Sequence, residues 1–104
     1  MTDVAASLPS KADFSAAVNT HFRAFAAEVE ALEFVLISVD EIASNENQET
    51  YSLQFLAPVT APRSQGIFKL EHETLGSMNL FLVPIKLDEK GLYYEAIFNY
   101  FLGI

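Results

Sequence analysis

The chain has no cysteine and no tryptophan, and only four glycines and four prolines. Without thiols it can form neither a disulfide nor a thiolate metal centre, so packing must hold it together. Basic residues are scarce as well: six lysines and arginines stand against fourteen acids, a net charge of −8. Lys11, Arg23, Arg63, Lys69, Lys86 and Lys90 are scattered rather than clustered. A phosphate backbone or an anionic membrane surface would be repelled by that balance, which argues against nucleic-acid and membrane partners. Nor does any apolar run approach the length of a spanning helix. The opening MTDVAASLPSKADF has an acid near its start and no apolar run, so it does not read as a secretory signal. A cytoplasmic location, before any assembly, is the expectation.

What the chain does have is apolar and aromatic mass. Of 104 residues, 51% are hydrophobic, and the aromatics number nine Phe and four Tyr. That is enough for one buried core, and it opposes disorder beyond the first few residues. Residues 1–9 read as a flexible N-terminus and residues 10–104 as a single β-rich domain. Ser10 followed by Asp13 is a variant capping box. Phe14, Val18 and Phe22 then fall at spacing four, with Ala17 and His21 beside them, which predicts one short helix of two or three turns.

From there the period changes to two. Phe25, Ala27 and Val29 alternate with Ala24, Ala26 and Glu28. In the next strand, Leu32 to Ile42, Phe34, Leu36, Ser38 and Asp40 share one face. Tyr51, Leu53 and Phe55 mark another strand after the polar loop SNENQE. The segment APVTAPRSQG, with Pro58 and Pro62, cannot feed a ladder and reads as a long loop. Ile67 to Glu73 places Phe68, Leu70 and His72 on one side and Lys69, Glu71 and Glu73 on the solvated side. Gly76 allows a turn, and DEKG, residues 88–91, closes a hairpin between Leu80–Leu87 and Leu92–Phe101. The fold class is therefore mainly β: about six antiparallel strands in a small barrel or curved sheet, with one short N-terminal helix.

The last hairpin is apolar on both faces of both strands. Leu80 to Ile85 has no polar position, and the chain's last residues read FNYFLGI. One short helix cannot cover so much, which predicts a subunit contact here. The expected surface is Leu80, Leu82, Pro84, Tyr93, Glu95, Ile97 and Phe101, with Glu95 either pairing with Lys86 across the hairpin or meeting a partner's Lys or Arg.

Constellations that carry chemistry are missing. His72 lies in EHE, but alternation sends Glu71 and Glu73 to the opposite face, and one histidine is a poor metal site. His21, at the end of the helix stripe, reads as structural. Asp88 and Glu89 are turn residues, and Asp40 reads as a solvated strand end. No serine sits in a nucleophile motif, and no glycines form a phosphate loop. Neither catalytic residue, metal nor cofactor is expected, and the protein is read as no enzyme.

The segments EHETLGSMNLFLVPIK and YYEAIFNYF, with Ser52-Leu53-Gln54-Phe55 and the helix phenylalanines Phe14 and Phe22, resemble a family of bacterial β-rich proteins of similar length. That family is catalogued only as a domain of unknown function and is associated with phage-tail-collar-like proteins. The resemblance implies no catalytic residue. It implies a structural or interaction subunit of a phage-tail-like or fibre-like assembly, with a protein partner or a homo-oligomer. The alternative is a small ligand-binding β-barrel lined by the aromatics.

Overall fold

The computed structural model describes residues 8–25 and 31–101 and, except at 100 and 101, their side chains. A helix α1 (Lys11–Ala16) leads six strands: β1 (His21–Phe25), β2 (Leu32–Ser44), β3 (Gln48–Ala57), β4 (Gly66–His72), β5 (Gly76–Asp88) and β6 (Gly91–Phe101). Every pairing is antiparallel, and the sheet closes on itself in the order β1-β2-β3-β6-β5-β4. The sheet is thus closed, with three residue pairs, Arg23 with Glu71, Ala24 with Leu70 and Phe25 with Lys69, joining its first strand to its fourth.

A ring of six strands is narrow enough for side chains to fill it. Phe22, Phe34, Phe55, Leu36, Leu53, Leu70, Leu82 and Tyr94 are fully buried. Phe34 lies at the centre, its ring 5.2 Å from Tyr94, 5.9 Å from Phe68 and 6.3 Å from Phe55. Each such side chain contributes roughly 2 kcal/mol by leaving water. These rings also occupy the place where a lumen for a small ligand would lie.

Both ends of the ring are plugged. At the end where β1 begins, α1 carries Phe14, wholly buried and edge-to-face with Phe98 at 5.6 Å. The capping box forms as the sequence implies: Ser10 Oγ accepts from the Asp13 N–H and the Asp13 carboxylate accepts from the Ser10 N–H. Lys11 ties the helix to β2 and β3 through Glu41 at 2.9 Å and Glu49 at 3.8 Å. At the other end, residues 58–65 cross from β3 to β4, which are not neighbours in the ring. Ala61, within this crossing, is buried, and the Tyr94 hydroxyl donates to the Pro62 carbonyl.

The helix is shorter than its sequence stripe. It stops at Ala16 because Asn19 takes a left-handed φ of 72° and its N–H bonds to Leu36 O, while Leu36 N–H bonds back to Thr20 O. Strand pairing thus captures the chain before a third turn forms. Phe22 consequently sits in β1 and points into the ring, with Ala24; Phe25 points outward beneath Arg23 and Lys69, which lie 5.5 and 6.0 Å from its ring. The expected alternation through Ala27 and Val29 lies outside the described residues.

His21 opens β1 rather than ending a helix, and its Nδ1 is 2.9 Å from Glu33 Oε2. His72 has both ring nitrogens engaged inside the fold. Nδ1 accepts from the Thr74 and Leu75 N–H groups, each at 3.1 Å, which leaves Nε2–H to donate to Thr20 Oγ1 at 2.8 Å. The Thr20 hydroxyl in turn donates to Ala17 O. This chain staples the β4–β5 turn to the exit of α1.

Among the described glycines, Gly91 is the most constrained. Its φ is +150°, and a Cβ there would lie 2.2 Å from Ala57 O, a backbone atom with nowhere to go. Gly91→Ala should therefore destabilise the protein by about 2 kcal/mol or more, through clash and backbone strain together. Gly76, also at positive φ but with open space around it, provides the contrast. Gly76→Ala should lose only about 1 kcal/mol, the ordinary left-handed cost. Urea unfolding of the two variants checks both, and equal losses would show that the Ala57 contact does not constrain the hairpin.

Candidate functional site

The β5–β6 hairpin is anchored at its turn by Asp88. Its carboxylate accepts from the Lys90 N–H at 2.8 Å and from the Tyr93 hydroxyl at 3.1 Å, with Lys86 Nζ at 3.7 Å. Partial removal from water pushes this carboxyl up. The Lys90 and Gly91 N–H groups, the Tyr93 hydroxyl and the Lys86 ammonium outweigh that and hold it below the usual aspartate range. Tyr93 is shifted the other way, raised first by burial and then by its bond to Asp88.

Beyond the turn the register breaks once. Pro84 pairs with Tyr94 and Lys86 with Tyr93, so Ile85 is the extra residue of a bulge. The bulge turns Lys86 to the outside, where Nζ stands 4.7 Å over the Tyr93 ring. Glu95 lies opposite Val83 and Gln54 instead, so the pairing of Glu95 with Lys86 does not occur.

The ladder then opens. Among the described residues, β5 and β6 pair no further than Val83 with Glu95. Residues 76–82 of β5 pair only with β4, and residues 96–101 of β6 only with β3. Between them runs a groove of about 440 Å³ lined by Phe81, Val83, Glu95, Ile97 and Phe98. A further section of about 260 Å³ adds Leu8, Asn79, Leu80 and Asn99.

The expected surface divides across this wall. Leu80 and Leu82 are 3% and 0% exposed and point into the ring, so they are core and not surface. Pro84 is half-buried at the bulge, and Tyr93 is covered by Lys86. Glu95 is half-buried in the groove and Ile97 is 60% exposed beside it. Phe101 ends β6, with its side chain outside the described residues. Two large apolar positions were missed. Phe81 is 51% exposed and pairs with Ile67, 66% exposed on β4, so Ile67, Phe81 and Ile97 lie across three strands on the outer wall. The sequence does carry the signal: Ser77 and Asn79 are polar where Met78, Leu80 and Leu82 are not, which marks the face of Phe81 as the outer one.

Asp40 also changes sides. A bulge at Ile37 turns Val39 inward against Leu53 and Asp40 outward, so Asp40 no longer shares a face with Phe34 and Leu36. His21, Arg23, Glu33, Glu71, His72 and Glu73 gather around one shallow exposed depression, yet no described trio of them is placed to hold a metal ion.

The model of the family described as Domain of unknown function (DUF6916) matches residues 9–98. The chain belongs to that family. No curated protein and no solved structure matches it. The matched span takes in α1, β1 to β5 and β6 as far as Phe98, so Ile67, Phe81, Glu95 and Ile97 are part of the family's domain.

Because Asp88 is held below its unfolded value, its contribution is present above that value and is lost as pH falls through the folded one. The stability gap between the wild type and Asp88→Asn should therefore be constant near neutrality and begin to close at about pH 4, the ordinary aspartate range. Urea midpoints measured from pH 7 to pH 3 test this. A gap that does not change with pH would remove Asp88 as the electrostatic anchor of the turn.

Proposed function

We propose that the protein is a non-enzymatic interaction subunit, and that the outer wall of β4, β5 and β6 is its docking face. The observation that carries this reading is the row Ile67, Phe81 and Ile97, each more than half exposed, around the half-buried carboxylate of Glu95. Exposed apolar rows with a charged neighbour are what specific interfaces use as anchors and register marks. Among the described residues Glu95 forms no ion pair within the chain, and the net charge is −8. The partner is therefore a protein surface that is apolar and presents a Lys or Arg to Glu95. The class of host proposed is a tail-like or fibre-like assembly, a reading supported by the sequence resemblance to a family associated with phage-tail-collar-like proteins.

The test separates wall from core. Phe81→Asp and Ile97→Asp should leave the thermal midpoint within a few degrees of wild type, whereas Leu82→Asp, inside the ring, should unfold the chain by burying an unpaired charge. A stoichiometric partner captured from the native host, then purified and titrated, should bind Phe81→Asp, Ile97→Asp and Glu95→Lys at least tenfold more weakly, a loss of about 1.4 kcal/mol or more. Unchanged affinity across the three variants would overturn the docking face.

A further inference from the structure

Ile67, Phe81 and Ile97 lie level across the outer wall. Phe81 pairs with Ile67, and two residues on from the pair of Val83 with Glu95, Ile97 stands opposite Phe81 across the open seam. The row carries a charge at either end of one diagonal. Lys69 lies on β4, one strand from Phe81 and two residues beyond Ile67, opposite Asn79. Glu95 lies on β6, one strand away on the other side and two residues back from Ile97, opposite Val83. Asn79 and Val83 flank Phe81 on β5, so the two charges stand on opposite sides of it along the strands as well as across them. Lys69 is exposed, Glu95 is half-buried, and both share the outward face of the row. Phe81 is thus the midpoint between one cation and one anion.

We infer that the outer wall, taken as the docking face proposed above, docks a second copy of this chain, with Lys69 of each copy meeting Glu95 of the other. A two-fold axis in the plane of the contact, through Phe81 and at right angles to the Lys69–Glu95 diagonal, exchanges the two charges. It lays Phe81 on its own copy, brings Ile67 close to the partner's Val83, and sets Lys69 beside the partner's Glu95 at two symmetric places. Such self-complementarity is what an isologous contact requires. An aromatic anchor at the centre buries apolar surface, and the two flanking ion pairs fix the register. With strands about 4.8 Å apart and same-face residues about 6.6 Å apart along each, the axis crosses the strands of the two copies at roughly 70°, near the orthogonal mode of sheet packing. The diagonal charges cancel, so the chain's net charge of −8 does not fall on the row itself. Lys69 is free to turn: its Nζ is 3.6 Å from Glu71 Oε2, an exposed pair of the kind that contributes little. For Glu95, the second copy supplies the cation that the described residues of its own chain do not.

Charge reversal in trans tests this on the full chain. Sedimentation equilibrium over about 1–500 μM should show a reversible dimer of the wild type. Glu95→Lys alone and Lys69→Glu alone should each weaken it at least tenfold, because each sets like charges together at both places. Mixing the two variants should restore the dimer to within about threefold of wild type, since the mixed pair regains both contacts with opposite charges. Combining both changes in one chain, which keeps the net charge at −8, should restore it equally. Recovery in the mixture also shows that each single variant is folded. A wild type that stays monomeric throughout, single reversals that leave the dimer unchanged, or a mixture without recovery would each overturn the second copy as occupant. The docking face is judged separately, by Phe81→Asp and Ile97→Asp. If these weaken a captured partner while the wild type alone is monomeric, the face stands and only the second copy falls. If they weaken neither a dimer nor a captured partner, the face itself falls.

Discussion

The whole fold answers to the filling of a narrow ring. Six strands closed on themselves leave a tube that only side chains can occupy, and every strand must send its inner half to the same axis. Phe34 is the meeting point, in contact with rings from β3, β4 and β6. That requirement fixes which face of each strand is inside, and through it which residues remain for the outer wall. It also leaves two open ends, and the chain spends its only described helix and its proline loop on closing them. Phe14 and Ala61 are the inward residues of those two plugs.

Long strands in so small a ring cannot keep strict alternation and still curve. The register shifts fall where Ile37, Ile42 and Ile85 stand as the extra residues. Each shift exchanges inside for outside further along the strand. The exchange at Ile37 brings Val39 against the core and frees Asp40. The one at Ile85 sends Lys86 outward onto Tyr93, which then shares its hydroxyl with Asp88. The bulge, the cation over the ring and the depressed carboxyl of Asp88 are one device that fixes the hairpin turn.

The alternating segments were legible for a physical reason. Tyr51, Leu53 and Phe55 differ sharply from Ser52 and Gln54, so period two shows both the strand and its inner face. The turn at Gly91, the capping box and the proline crossing were likewise local and written in residue types. A bulge is not: isoleucine looks the same in or out of register, and the bulges at Ile37 and Ile85 displaced the assignments of Asp40, Lys86 and Glu95. The helix end was hidden for another reason. Phe14, Val18 and Phe22 fit a helical stripe, and only the pairing of Asn19 and Thr20 with Leu36 breaks it. On the hairpin, two apolar faces gave no contrast within Leu80–Ile85, so Leu80 and Leu82 were read outward. The contrast lies just before that run, in Ser77 and Asn79.

The opening of the β5–β6 ladder follows from the same demands. The turn end of this hairpin is locked by Asp88, by Gly91 against Ala57, and by Tyr94 holding the crossing loop. The other end must accommodate the helix plug, whose Phe14 rests on Phe98. Phe98 both supports the plug and lines the groove. Inner strand residues at this end therefore serve the plug, while Phe81 and Ile97 are left on the outer lips of an unpaired seam. A ring that closed its last ladder fully would have no such seam, and the apolar row across β4, β5 and β6 would be a flat, continuous sheet face. The open end converts it into a groove with backbone edges and one half-buried acid. That geometry ties the exposed apolar row to the way the ring is stoppered.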